Sequence, residues 1–294
     1  MTETPDSDVD SVHLPVVCCD LDGVVWRGDE PVLGAAAGIE ALRRAGYRVV
    51  FVSNNSSQPI GEVVAKLMDA GVVTTPADVI TSAVAAASLL AASLPAGARV
   101  LSCAGPGVVE ALAGVGLEPV ADAPADAVVV GFHRHFDFDE LDLASRVVRG
   151  GARFVATNLD ATYPVPGGLV PGSGAITAAV ATASGRAPEV AGKPEAPMAA
   201  LIRERFGSHG VVVGDRPSTD GRLADVLGWP FALVLSGVTA EVAPPGGETI
   251  PTPRPPFVAA DLGELAPRLI AAFGPRPPVA GSASGANRTR ILPQ

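Results

Sequence analysis

Val16-Val17-Cys18-Cys19-Asp20-Leu21-Asp22-Gly23 decides the fold. The first four residues are apolar without polar alternation, the pattern of a strand covered on both faces in a parallel sheet flanked by helices. Two aspartates two residues apart follow, at the carboxyl end where such sheets place their ligand crevice, and Gly23 allows a sharp turn. Three further runs share this character: Val49 to Val52, Val211 to Val213 and Phe231 to Leu235. Helix-length segments at Ala35 to Ala45, Ile60 to Ala70 and Pro197 to Phe206 are closed by Gly46, Gly71 and Gly207. The alternation predicts an α/β protein.

Between the second and third runs lie more strand-like segments, Arg99 to Ser102, Ala127 to Val130 and Arg153 to Ala156. They predict a smaller α/β domain inserted at 95–188, dividing the first domain into 14–94 and 189–273. Phe257 to Ala260 and Leu262 to Ala272 predict a last strand and helix after the Pro/Gly-rich loop Ala243 to Pro256. Residues 1–13 are expected to be a flexible N-terminus, and 274–294, dominated by Pro, Gly, Ser and Asn, a disordered tail.

The 294 residues, 48% hydrophobic and 18% charged, can bury a sizeable core. A formal net charge of -10 argues against nonspecific binding of nucleic acid or anionic membranes. The longest apolar stretch, Ala83 to Leu94, is Ala/Ser-rich and soon ended by Pro95 and Gly97, so no membrane-spanning helix is expected. Met1 to Ser11 carries four acids and no base, unlike a signal or transit peptide, which predicts a cytoplasmic address. Cys18, Cys19 and Cys103 offer neither a disulfide framework nor a zinc spacing and read as buried thiols.

Period two along a strand sends Asp20 and Asp22 to the same side, where two carboxylates favour a metal ion or a shared proton; a plain strand-end turn uses the same residues. Ser53-Asn54-Asn55-Ser56, ending the second run, supplies a hydroxyl, amides and backbone donors for phosphate oxygens, or a helix N-cap. Gly192-Lys193-Pro194 holds a lysine just before a helix, and Asp215 and Asp220 follow the third run in Gly214-Asp215-Arg216-Pro217-Ser218-Thr219-Asp220-Gly221. Oxygen ligands from separate strands suit a hard ion such as magnesium. The conjunction discriminates: acids, hydroxyl and amides, lysine, then acids, each at the end of a core element.

With Ala156-Thr157-Asn158-Leu159-Asp160 and Leu235-Ser236-Gly237-Val238-Thr239, these stretches resemble the type IIA phosphatases of the haloacid dehalogenase superfamily. That group contains phosphoglycolate, pyridoxal phosphate, para-nitrophenyl phosphate and NagD-like phosphatases. The resemblance spans about residues 14 to 272. It implies a Rossmann-like doubly wound parallel-sheet core with an inserted α/β cap of the C2 type, and a magnesium-dependent phosphomonoesterase acting on a small phosphorylated metabolite.

Carried over by position, the resemblance makes Asp20 the nucleophile and Asp22 the general acid and base. It makes Ser53, Asn54 and Lys193 the phosphate ligands. Asp20, Asp22 and Asp215 become magnesium ligands, with Asp220 supporting them. The segment containing Asn158, Asp160, Tyr163 and Pro164 would face the substrate, and a homodimer would form through the cap. His133-Arg134-His135 follows a strand where the family commonly has aspartate at the first position; without further ligands, the histidines read as surface residues rather than a metal pair. Gly105-Pro106-Gly107 with Glu110 is a broken dinucleotide fingerprint and reads as a strand-to-helix turn. Alternatives to hydrolysis are a phosphomutase or other phosphoryl transferase, and a noncatalytic phosphate-binding protein.

Overall fold

The computed structural model describes residues 16–165, 168–242 and 247–275. The expected flexible N-terminus, and all but the first two residues of the expected tail, lie outside them. Among the described residues, six parallel strands form the larger sheet in the order Phe257–Ala259, Phe231–Val234, Gly210–Gly214, Val16–Cys19, Arg48–Ser53, Val79–Thr81. Alternate residues of one strand feed opposite faces. Val16 and Cys18 join Val50, Val52, Val212 and Leu233 in one apolar cluster, while Val17 and Cys19 join Val49, Phe51, Val211 and Val213 in another. Both faces are therefore covered, which is why these strands lack polar positions.

From Val16–Cys19 the chain winds outward through Arg48–Ser53 to Val79–Thr81, then returns to Gly210–Gly214 on the other side and winds the opposite way. The reversal opens a crevice at the strands' carboxyl ends. Register aligns those ends: Cys19 pairs with Val213 and with Phe51, so Asp20, Gly214 and Val52 fall level. This is a Rossmann-like doubly wound core.

The inserted α/β cap has its own parallel sheet, ordered Glu189–Val190, Arg153–Ala156, Ala127–Val130, Arg99–Cys103, Glu118–Val120. One face packs on the helices Phe138–Arg149 and Ser173–Ser184 through Ala144, Val148, Ile176 and Val180. The other presents Val100, Ala127, Val129 and Val155 to the cluster that also contains the core residues Val16 and Val50. Between the sheets lies the helix Ser82–Ala91, whose Ala83, Ala85, Ala86, Ala87 and Leu90 are all buried in that cluster. Its alanine richness follows from being enclosed on both sides, where larger side chains would hold the sheets apart.

Several elements escape the sequence reading. Val79–Thr81 adds an edge strand to the core, and Thr162–Val165 pairs with Gly168–Pro171 in an antiparallel hairpin. Glu189–Val190 extends the second sheet two residues beyond the expected 95–188 span. Glu110, read with the turn before it, accepts a hydrogen bond at 2.9 Å from the Ile60 amide and so satisfies the exposed start of the helix Ile60–Asp69 from the cap side. Among the described residues no helix is long and apolar enough to cross a membrane.

Because Ala86 is fully buried between the sheets, Ala86→Leu should lower stability by about 1–3 kcal/mol through overpacking. Urea unfolding measures this.

Candidate active site

Asp20 leaves the central strand with its amide bonded to the Val213 carbonyl at 2.9 Å, which fixes the carboxylate at the switch point. Its Oδ1 accepts from Lys193 Nζ at 2.5 Å, and the same ammonium donates to Asp220 Oδ1 at 2.7 Å. All three side chains are buried. Burial alone would lower the Lys193 pKa, but the Asp20 and Asp220 carboxylates hold it above its ordinary value. Burial raises Asp20 well above a normal carboxylate against the pull of Lys193, and Asp220 and Asp215 push it further up.

Asp220 reaches this position because Pro217–Gly221 forms one turn of π-helix, a wider coil that turns the carboxylate back beneath the strand end. Its Oδ2 accepts from the Arg216 amide at 3.1 Å. Asp215 is held by the Val238 amide, 2.6 Å from its Oδ2. Two glycines make room for it: Gly23, in the left-handed region at φ 85°, and Gly237; a β-carbon at either would strike the Asp215 carboxylate. Burial first, then Asp220, pushes Asp215 up to about 7.

Asp20, Asp215 and Asp220 bring carboxylate oxygens within 4.8 Å of one another. One lysine cannot balance three buried carboxylates, and an all-oxygen donor set of this charge fits a hard divalent cation. Asp22 lies two residues on, half-buried, its Oδ1 accepting from the Trp26 indole at 3.1 Å. Burial raises its pKa despite that bond. The Lys66 ammonium sits 4.6 Å over the Trp26 ring and donates to the Gly28 carbonyl at 2.7 Å, tying this turn to the helix Ile60–Asp69.

The other expected residues divide into two groups. Ser53 is buried at its strand end, and its Oγ accepts from the Asn55 amide at 3.0 Å. Asn54 grips the lysine segment: its Oδ1 accepts from the Lys193 amide at 2.8 Å, and its Nδ2 donates to the Lys193 carbonyl at 3.1 Å and to Asp160 Oδ2 at 3.2 Å. Asn158 Nδ2 donates to the Asn54 carbonyl at 2.7 Å. Asn54, Asn158 and Asp160 thus join the cap to the core, although all three also line the pocket. Burial raises the Asp160 carboxyl.

Tyr163 also lines that pocket, stacked on Phe132 with ring centroids 5.3 Å apart, and Pro164 sits beside it in the hairpin, paired with Leu169. The cavity has a volume of about 250 Å³, the size of a small metabolite. Asn55 and Arg216, from the motifs, and Arg27 and Phe132, from outside them, also line its walls. Trp26 lies three residues beyond the opening motif and has no role in the sequence reading; an indole N–H four residues after an aspartate at a sharp turn is the signal that points to it.

The chain matches the family described as haloacid dehalogenase-like hydrolase over residues 17–118 and a HAD-hydrolase-like family over 190–265. It is 41% identical over 251 residues to the D-glycerol 3-phosphate phosphatase of Mycobacterium tuberculosis, covering 84% of this chain and 69% of that protein. An acid sugar phosphatase of Staphylococcus saprophyticus is 38% identical over 204 residues, 68% of this chain and 78% of that one. The crystal structure of a Mycobacterium tuberculosis glycerol phosphate phosphatase in complex with magnesium superposes with a TM-score of 0.77 at 38% identity, covering 86% of this chain and 76% of that one. The chain therefore belongs to the haloacid dehalogenase-like hydrolase family.

Removing the ammonium would leave Asp20 and Asp220 buried and unpaired, so Lys193→Met should lower stability by roughly 3–5 kcal/mol at neutral pH, read by urea unfolding. The raised Asp215 pKa also has a sign. Between the ordinary carboxylate value and about 7, the folded metal-free chain keeps a proton that the unfolded chain has lost. Stability of the metal-free protein should then fall as pH rises through that window, and added Mg²⁺ should raise Tm more at about pH 8 than at about pH 5.5. Thermal unfolding with and without EDTA checks both.

Proposed function

We propose that the protein hydrolyses a small organic phosphate monoester, of the glycerol phosphate, phosphoglycolate or sugar phosphate class, with Asp20 as the nucleophile. One observation carries this reading. Lys193 lies within hydrogen-bond distance of both Asp20 and Asp220 at the floor of a pocket that Asp22, Ser53 and Asp215 also line. Bound magnesium, held by Asp20, Asp215 and the Asp22 backbone with Asp220 in support, would neutralise the repulsion between a carboxylate and a phosphate dianion.

Asp20 attacks phosphorus and becomes an aspartyl phosphate as the ester oxygen leaves. Asp22, its pKa raised by burial, gives that oxygen a proton, then takes one from the water that cleaves the acyl phosphate. The Trp26 indole fixes the orientation of the Asp22 carboxyl for both transfers. The Ser53 hydroxyl and neighbouring backbone amides hold phosphate oxygens, and Lys193 offsets the charge gathered at Asp20. Asn54 serves by gripping the Lys193 backbone on both its amide and its carbonyl.

The organic part of the substrate would meet Tyr163 and Phe132, with Arg27 and Arg216 at the rim, so the cap sets which ester is accepted. The glycerol phosphate and sugar phosphate activities named for the relatives support esters of that size. Buried, unpaired Cys18, Cys19 and Cys103 fit a reducing cytoplasmic address, and the family resemblance supports pairing of two copies through the cap.

Purified protein with Mg²⁺ should release free phosphate from a panel of phosphorylated metabolites and from para-nitrophenyl phosphate. Activity should vanish with EDTA and fall at least about 10³-fold in Asp20→Asn. An isomerised ester instead of free phosphate would indicate a mutase, and turnover retained by Asp20→Asn would overturn the nucleophile.

A further inference from the structure

The histidine pair after Ala127–Val130 looked isolated in the sequence, but the fold brings ligands to one of its members. Cys103 ends the neighbouring strand Arg99–Cys103, His133 follows Ala127–Val130, and Glu140 stands in the first turn of the helix Phe138–Arg149. Their Sγ, imidazole nitrogen and carboxylate oxygen lie within 4.8 Å of one another. None of the three belongs to the catalytic pocket. His135, two residues on, is exposed and outside the group.

The cluster is built rather than fortuitous. The Asp137 carboxylate caps the helix by accepting from the Glu140 amide at 2.9 Å, which aims Glu140 back at the strand ends. Phe136 packs edge-on against the His133 ring at 6.0 Å. His133 Nε2 is buried without a hydrogen-bond partner, although a Glu140 carboxylate oxygen lies only 3.3 Å away. Burial, with His135 beside it, lowers the His133 pKa, so the ring is neutral and its nitrogen is available as a ligand. The Cys103 thiol and the Glu140 carboxyl hydrogen-bond each other, and burial together with Glu140 holds the thiol above its ordinary range, so a cation must displace that proton. The buried His133 nitrogen is the group left unsatisfied, and joining it to the other two would remove that cost.

We propose that Cys103, His133 and Glu140 bind one borderline-soft divalent cation of the zinc type, separate from the magnesium centre. A thiolate, an imidazole and a carboxylate are the mixed donors such an ion takes; the thiol would release its proton to solvent on binding, and a water would take the fourth position. Magnesium avoids sulfur, so the two centres select different ions. The ion would clamp two strands of the cap sheet to its covering helix, one residue from Phe132, which stacks on Tyr163 in the pocket wall.

Cobalt(II) is the probe. Titrated into the full-length, zinc-free protein with excess Mg²⁺ present, Co²⁺ should saturate at one equivalent with a thiolate-to-cobalt charge-transfer band in the near ultraviolet, which Zn²⁺ then displaces. Cys103→Ser should abolish the band, and His133→Gln should weaken cobalt affinity at least about tenfold. Both variants should keep para-nitrophenyl phosphate hydrolysis, which verifies folding. Absence of the band in the unmodified protein, or its persistence in Cys103→Ser, would overturn the site; should Cys103→Ser not fold, an undiminished affinity in His133→Gln would do the same.

Discussion

A buried ammonium held between two buried carboxylates is the constraint on which the site depends. Lys193 is brought to Asp20 from 173 positions along the chain and to Asp220 from 27. Withdrawing these charges from water costs several kcal/mol each unless geometry and hydrogen bonds compensate. The fold supplies that geometry with strand ends in register, a π-turn that returns Asp220, and Asn54 bonded to both the amide and the carbonyl of Lys193. The negative charge left over suits the crevice to a divalent cation.

Under the proposed function, phosphate chemistry and ester recognition fall on different layers of the molecule. The groups assigned to the phosphoryl transfer stand at the ends of strands buried on both faces, where positions are tightly determined. The Tyr163–Phe132 wall rests on a hairpin and on the exit of a cap strand, elements with fewer constraints. On that reading, the wall could vary without disturbing the reacting atoms.

The core was legible in the sequence because strands enclosed on both faces cannot hide their composition: Val16 to Cys19 and Ala127 to Val130 coincide with the observed strands. Val79–Thr81 was missed because three residues carry too little pattern. The Thr162–Val165 hairpin was missed because Pro164 and Pro171 argue against strands, although neither is in a central position. The residue types at the site were readable from motif order, but their partners were not. The Asn54 carboxamide meets a backbone segment 139 positions away, and the environment of His133 is made by Cys103 and Glu140, which no local spacing links to it.

The helix Ser82–Ala91 stands at the junction of core and cap. Although the polypeptide enters the insert just after it, its alanines belong to the interiors of both sheets at once. The cap is thus a module in topology but not in solvation: excision would lay open a flank made of alanine methyl groups. A differently shaped cap on this core would require this helix to be recut along with it.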